Sequence, residues 1–84
     1  MNDVRKLSDT VDMMLSDDYK ERFKAEYYQV QIRAEKLSEM LVNWDNLKFT
    51  PTCRKEIYRR QLHAMVAYLD ILNERALKEG VNFE

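Results

Sequence analysis

The 84-residue sequence has very few of the residues that build turns, cross-links and metal clusters. It contains one glycine, one proline and one cysteine. A β-sheet needs turns that glycine and proline commonly supply, so their scarcity argues against a sheet-rich fold. A single cysteine excludes a disulfide framework and a thiolate metal cluster within the chain, and it fits the reducing environment of a cytoplasm.

Long apolar stretches and an excess of charge of one sign are also missing. No apolar run approaches the roughly 20 residues of a membrane-spanning helix, and the N-terminus lacks the basic-then-apolar order of a signal peptide. The formal net charge is −1, which provides no general attraction to nucleic acid or to an anionic membrane. We therefore expect a cytoplasmic protein with no membrane partner, and a nucleic acid partner is unlikely on charge grounds.

The sequence is rich in helix-forming residues, and its apolar residues recur at helical spacing. Glu, Lys, Arg, Leu, Met and Ala favour helix, so we predict an all-α fold. A chain of this length is expected to form one helical domain over residues 1–84. Such a domain has a modest core, and oligomerisation commonly adds to its stability.

Two long stretches carry an apolar seam with alternating steps of three and four residues. The pattern predicts one helix over residues 17–43 and another over residues 51–79. The first begins where Asp18 and Glu21 have capping-box spacing. The second has Thr50 as its expected N-cap and Pro51 at its first position. Two helices of similar length joined by a short turn predict an antiparallel hairpin in which the two seams face each other. The seam of the first helix consists of Phe23, Tyr27, Val30, Ala34, Leu37, Leu41 and Trp44. The seam of the second helix consists of Tyr58, Leu62, Met65, Leu69, Leu72 and Ala76.

The ends of the chain carry two further signals. Gly80 predicts a left-handed cap after the second long helix, with Val81 packing back on Ala76 or Leu77. Residues 1–15 place Val4, Leu7, Val11 and Met14 on one face of a short amphipathic helix. A helix this short is marginal without tertiary contacts, so it either docks on the long helices, joins a neighbouring subunit or frays. Docking is the interpretation we favour.

Each long helix also has apolar residues outside its seam, which one partner helix cannot cover. We predict that these residues form the interface of a homo-oligomeric helical bundle. They are Tyr28, Ile32, Ile57, Ala64, Tyr68 and Ile71.

Basic residues concentrate around the start of the second long helix. Free backbone N–H groups and the positive end of the helix dipole favour an anion there. The predicted phosphate-binding or nucleotide-binding residues are Lys48, Thr50, Thr52, Arg54, Lys55, Tyr58, Arg59 and Arg60. The nearby rings of Trp44, Phe49 and Tyr58 are suited to stacking on a base. The alternative interpretation is a solvated basic end that balances the acidic N-terminal third.

No cluster of residues indicates a reaction, so we expect no catalytic residue, no metal site, no cofactor and no enzymatic activity. His63 is the only histidine and has no second metal ligand at a suitable spacing. Cys53 and His63 lie ten residues apart on one predicted helix, or roughly 15 Å, which is too far for a nucleophile and its base.

Three segments resemble the small helical proteins of crAss-like and Firmicutes phages. The segments are MLSDDYKERFKAEY at 14–27, RAEKLSEML at 33–41 and QLHAMVAYLDILNER at 61–75. The resemblance covers about residues 14–79 and implies that residues 1–13 are an extension. More distantly, the layout is similar to the helical-hairpin phage sponges that sequester cyclic-nucleotide signals of bacterial immunity. Those proteins assemble as compact oligomers and hold ligands between subunits.

Two hypotheses follow for the function. The first is a phage-encoded, non-enzymatic, homo-oligomeric binding protein that sequesters a phosphate-bearing nucleotide immune signal in the host cell cytoplasm. A cyclic nucleotide or related signalling nucleotide would then be its ligand. The second is a structural or adaptor protein whose surplus apolar face docks on a host or virion protein.

Overall fold

Residues 4–83 are described by a computed structural model, and they form helices joined by loops without any β-strand. The all-α prediction is confirmed for these residues. A 3-10 turn, Leu7–Thr10, leads into the one-turn helix α1, Val11–Met14. The long helices are α2, Tyr19–Val42, and α3, Lys55–Glu79, with a 3-10 turn, Trp44–Asn46, after α2. Within residues 4–83, no helix combines the length and the apolar character needed to cross a bilayer.

Helices α2 and α3 pack side by side as an antiparallel hairpin. At its open end the Tyr19 hydroxyl donates to Glu79 Oε1 at 2.6 Å. Further along, the Tyr68 hydroxyl donates to the Glu26 carboxylate. The predicted seams lie between the helices, because every seam residue is buried or half-buried. The most deeply buried seam residues are Phe23, Ala34, Leu72 and Ala76.

The predicted start of the first long helix is close to the observed one, but that of the second is not. Asp18 is the N-cap of α2, and its Oδ1 accepts from the Lys20 N–H at 2.9 Å. In contrast, α3 begins at Lys55, and its N-cap is Arg54 in extended conformation without a side-chain capping bond. The prediction that Thr50 caps this helix is therefore wrong. Proline disfavours helical geometry in the residue before it, and the chain needs several non-helical residues to cross from α2 to α3.

The main buried cluster lies at the open end, where the C-terminal tail folds back on the hairpin. It consists of Phe23, Leu72, Ala76 and Val81. Gly80 has a φ of 70°, so the predicted left-handed cap is confirmed. The Gly80 and Val81 N–H groups both donate to the Ala76 carbonyl, the latter at 2.9 Å. This cap directs Val81 onto Ala76, as predicted.

The tail beyond Val81 continues along α2 and is held by aromatic contacts. The Phe83 ring stacks on Tyr27 with 4.3 Å between ring centroids. The Tyr28 hydroxyl donates to the Phe83 carbonyl at 2.7 Å. Burial of this phenol raises the pKa of Tyr28. The C-terminal tail therefore covers one side of the hairpin.

The N-terminal segment docks on α2, as we favoured, but only part of the predicted face is covered, since Val4 and Leu7 are half-buried and the deepest burial falls on residues outside that face. Its buried residues are Thr10 and Met13, whereas Val11 and Met14 are 45% and 46% exposed. A 3-10 turn has three residues per turn, which rotates the segment away from the face that an α-helix would present. The buried Thr10 hydroxyl donates to the Leu7 carbonyl at 2.7 Å and accepts from the Gln29 amide at 3.0 Å. Residues 1–3 of the predicted helix lie outside the described residues.

Glu79 should make the open end of the hairpin sensitive to acid. Bonds from the Tyr19 hydroxyl and the Arg75 guanidinium hold the pKa of Glu79 below its ordinary value of 4.5. A carboxylate with a lowered pKa stabilises the fold above its unfolded-state pKa, and this contribution is lost as pH falls through the folded-state value. We expect the free energy of unfolding to fall less between about pH 7 and pH 3 in Glu79→Gln than in the unmodified protein. Urea denaturation followed by circular dichroism measures this difference, and equal pH dependence in both proteins would contradict it.

Candidate functional site

The connection between α2 and α3 brings two of the predicted ligand residues, Lys55 and Tyr58, into contact with Trp44. The Tyr58 ring lies 5.9 Å from the Trp44 ring, centroid to centroid. The Lys55 Nζ lies over the same indole, 5.9 Å from its centroid. The Tyr58 hydroxyl also accepts from the Cys53 N–H at 3.4 Å. Trp44 therefore links the end of α2 to the first turn of α3.

The remaining predicted ligand residues lie in the connection or at the start of α3, but they do not all face the same way. Lys48, Thr50, Thr52, Arg54, Arg59 and Arg60 are exposed. Arg59 is one turn beyond Lys55 and projects on the same side of α3. Arg60 is rotated by about 100° from Arg59, since a helix has 3.6 residues per turn. We call Trp44, Arg54, Lys55, Tyr58 and Arg59 the turn-end cluster; Arg60 belongs to another side of the helix.

The cations at this end of the hairpin have no carboxylate partners within residues 4–83. Neither of the ion pairs found there, Lys24 with Glu21 and Arg75 with Glu79, lies near the turn. The unpaired cations are Lys48, Arg54, Lys55, Arg59 and Arg60. The neighbouring acidic residues are Asp45 and Glu56, so positive charge is in excess. An electropositive end with accessible rings is suited to an anionic, aromatic ligand.

Trp44 was predicted as a seam residue and as a ring suited to stacking on a base, although it was not among the predicted phosphate-binding or nucleotide-binding residues. Its position at the end of the α2 seam, next to a turn, was the available signal. The contact with Lys55 could not be derived from spacing, because it depends on how residues 47–54 cross between the helices. Among the predicted ligand residues, only Lys55 and Tyr58 have a described side-chain contact with Trp44.

A second group of cations borders a groove that the sequence analysis did not identify. The groove has a volume of about 350 Å³. Its apolar lining comes from Leu7, Leu37, Met40 and Met65, and its polar lining comes from Arg33, Lys36 and Gln61. Three separate elements meet here, so no local pattern could have indicated it. The groove depends on the docked N-terminal segment, because Leu7 forms one wall.

The predicted oligomer interface is divided by the structure into exposed and covered parts. Ile57, Ala64, Tyr68 and Ile71 are exposed on α3, and we call this group the α3 stripe. Ile32 is only 5% exposed within the chain. Tyr28 is half-buried and packs against Phe83, 5.8 Å between centroids. This corrects the predicted interface on α2, because the chain itself already covers Ile32 and most of Tyr28.

Comparison with known protein families gives a match over both long helices. The family model named Sequestin matches residues 17–78. The chain belongs to the Sequestin family. The family name denotes sequestration, which is the activity of a binding protein. The match spans the hairpin and the turn-end cluster, and it begins after the N-terminal segment. No match was found among curated proteins or among solved structures.

Tyr58 should hold the turn against α3 through its ring and not through its hydroxyl. The hydrogen bond from Cys53 is long at 3.4 Å, whereas the ring contacts Trp44. We expect Tyr58→Ala to lower the free energy of unfolding by about 1–3 kcal/mol and to shift the emission of Trp44 to longer wavelength. Tyr58→Phe is the matched control and should leave both quantities nearly unchanged. Equal effects of the two substitutions on stability and emission would contradict this assignment.

Proposed function

We propose that this protein is a phage-encoded sponge that sequesters a phosphate-bearing nucleotide immune signal as a homo-oligomer in the host cell. The single observation that supports a phosphate-bearing nucleotide as the ligand is the positive charge of the turn-end cluster, which no carboxylate within residues 4–83 neutralises, beside an accessible indole. Family membership supports sequestration as the mode of action. Binding alone removes the signal, so no catalytic residue is assigned and the protein is proposed not to be an enzyme.

The charge of the cluster favours phosphate over a neutral ligand. Arg54, Lys55 and Arg59 are free to bind an anion because no carboxylate in residues 4–83 neutralises them. Hydrogen bonds between ionised partners are stronger than neutral ones, and guanidinium groups bind phosphate oxygens in pairs. The first turn of α3 adds unsatisfied N–H groups and the positive end of its dipole.

The aromatic residues of the cluster favour a nucleotide over inorganic phosphate. Trp44 is half-buried, so part of its ring is available to a planar base. Phe49 is 58% exposed in the same connection. Stacking of a base on one ring contributes about 1–3 kcal/mol and tolerates different bases. A ligand with both phosphate and base would therefore use charge and stacking together.

An adaptor protein is the second candidate function, and the exposed α3 stripe favours it. Ile57, Tyr68 and Ile71 are each at least 40% exposed. In that case a host or virion protein would cover the stripe and the basic end would only be solvated. Light scattering separates the candidates, because an adaptor without its partner would be monomeric with accessible apolar surface.

Charge reversal in the turn-end cluster should weaken ligand binding. We expect Lys55→Glu and Arg59→Glu each to weaken binding by about tenfold or more, since a lost charge-assisted bond is worth about 1.5–3 kcal/mol. Isothermal titration against a panel of cyclic nucleotides measures the affinity. Trp44 is the only tryptophan, so its fluorescence reports binding at the turn independently.

Lys78→Glu is the matched control for this experiment. It makes the same charge change on α3 at the opposite end of the hairpin, and it should leave affinity unchanged. Unaltered affinity in Lys55→Glu and Arg59→Glu would exclude the turn-end cluster, and loss of affinity in Arg33→Glu instead would assign binding to the groove between α2 and α3. Absence of heat with every nucleotide, together with unchanged phage sensitivity to host signalling defences, would refute the proposed function.

A further inference from the structure

The α3 stripe is an apolar surface that the folded chain leaves uncovered. Ile57, Tyr68 and Ile71 are 41%, 40% and 55% exposed. The adjoining side of α3, centred about 100° around the helix from the stripe, packs on α2, and its residues Leu72 and Ala76 are buried. The stripe therefore borders α2, which it reaches through the bond from the Tyr68 hydroxyl to the Glu26 carboxylate, and the rest of its apolar surface is uncovered.

The stripe has the spacing of a helix-pairing seam when the residues between its members are included. Ile57, Gln61, Ala64, Tyr68, Ile71 and Arg75 follow one another at steps of four and three. This alternation is the seam of a coiled coil, in which each side chain packs between residues of a facing helix. A single helix of matching spacing would cover the stripe along most of α3.

Three residues at seven-residue intervals follow one flank of the stripe. They are Arg60, Ala67 and Glu74, all exposed. Sequence spacing allows ion pairs from Arg60 to Glu56 and from Glu74 to Lys78, but neither pair is present within residues 4–83. Arg60 and Glu74 thus carry opposite, unpaired charges at equal distances along the chain on either side of Ala67.

We propose that the occupant of the α3 stripe is α3 of a second copy of this chain, packed antiparallel about a two-fold axis near Ala67. This arrangement places Arg60 beside the partner's Glu74, and it forms the pair twice because the two-fold operation repeats every contact. A parallel arrangement would instead place Arg60 beside the partner's Arg60. Complementary charge on the flank of the stripe therefore selects both the occupant and its direction.

The residue sizes along the stripe also suit this register. In the seam, Ala64 faces the partner's Tyr68, a pair whose midpoint is residue 66, one residue from the midpoint of the flanking pair. A small side chain therefore receives a large one, and the same contact recurs on the other side of the axis. Ala67 at the axis lets the backbones approach closely, since interhelical distance depends on the side chains at the contact. The inference rests on the homo-oligomer of the proposed function and specifies its interface.

Charge exchange provides the decisive experiment. Sizing by light scattering and sedimentation, without ligand, should show a dimer or a multiple of it. Arg60→Glu and Glu74→Arg should each raise the dimer dissociation constant by about tenfold. Each substitution places two side chains of like charge next to each other at two positions in the dimer, and they repel. The double variant Arg60→Glu/Glu74→Arg should restore the original constant. An equimolar mixture of the two single variants should also dimerise. In the mixed dimer, each side chain at position 60 again lies beside one of opposite charge at position 74 of the other copy.

Crosslinking tests the position of the axis without relying on affinity. In a Cys53→Ser background, Ala67→Cys should form a covalent dimer with a short bismaleimide reagent. Val66→Cys is the matched control, because Val66 is 47% exposed but projects about 100° away from Ala67. Circular dichroism confirms that each variant is folded before it is compared.

Several results would overturn the inference. They are a folded monomer at every concentration, an oligomer insensitive to Arg60→Glu, failure of the double variant or the mixture to restore assembly, and crosslinking through Val66→Cys in place of Ala67→Cys. Capture of a different protein by a monomeric chain would assign the stripe to an adaptor function. Assembly and nucleotide affinity are measured separately, so loss of ligand binding with an intact antiparallel dimer would refute only the proposed ligand.

Discussion

The packing of Phe23 against Leu72 and Ala76 at the open end of the hairpin is the contact on which the rest of the structure depends. Leu72 has no exposed surface, and Phe23 has 2%. Both the C-terminal cap and the ion pair of Arg75 with Glu79 are built around this contact, because Arg75 also lies over the Phe23 ring at 4.9 Å. Removing the contact would leave α2 and α3 joined mainly by half-buried residues, since the seam is less buried toward the turn.

This uneven burial explains how the two ends of the hairpin differ. The open end combines the deepest burial with paired charges, so we expect it to be the more stable end. At the other end, the cations have no carboxylate partners within residues 4–83, and after the Trp44–Asn46 turn the chain crosses to α3 over residues 47–54 without regular structure. Regions with few buried contacts open at low free energy, so we expect the turn to change conformation more readily than the open end, which keeps the helices in register.

The sequence predicted those parts of the fold that depend on local spacing. The seams, the Asp18 cap and the left-handed Gly80 cap are each defined by residues a few positions apart, and they appear as expected. The start of α3 was misplaced by four residues because Thr50 and Pro51 resemble a helix start locally, whereas the distance between the helices requires an extended crossing. The docking face of the N-terminal segment was predicted only in part, because a 3-10 turn replaces the expected α-helical period.

The candidate site was only partly predictable for the same reason. The excess of positive charge is visible in the sequence, but which cations act together depends on the direction of each side chain on α3. Arg59 and Arg60 are neighbours in the chain, yet the helix turns one toward the turn-end cluster and the other toward the flank of the α3 stripe. Adjacent residues of like charge thus belong to surfaces with different proposed partners. In the proposed assembly, this separation would let a single helix contribute to ligand capture and to self-association without the two competing for the same side chains.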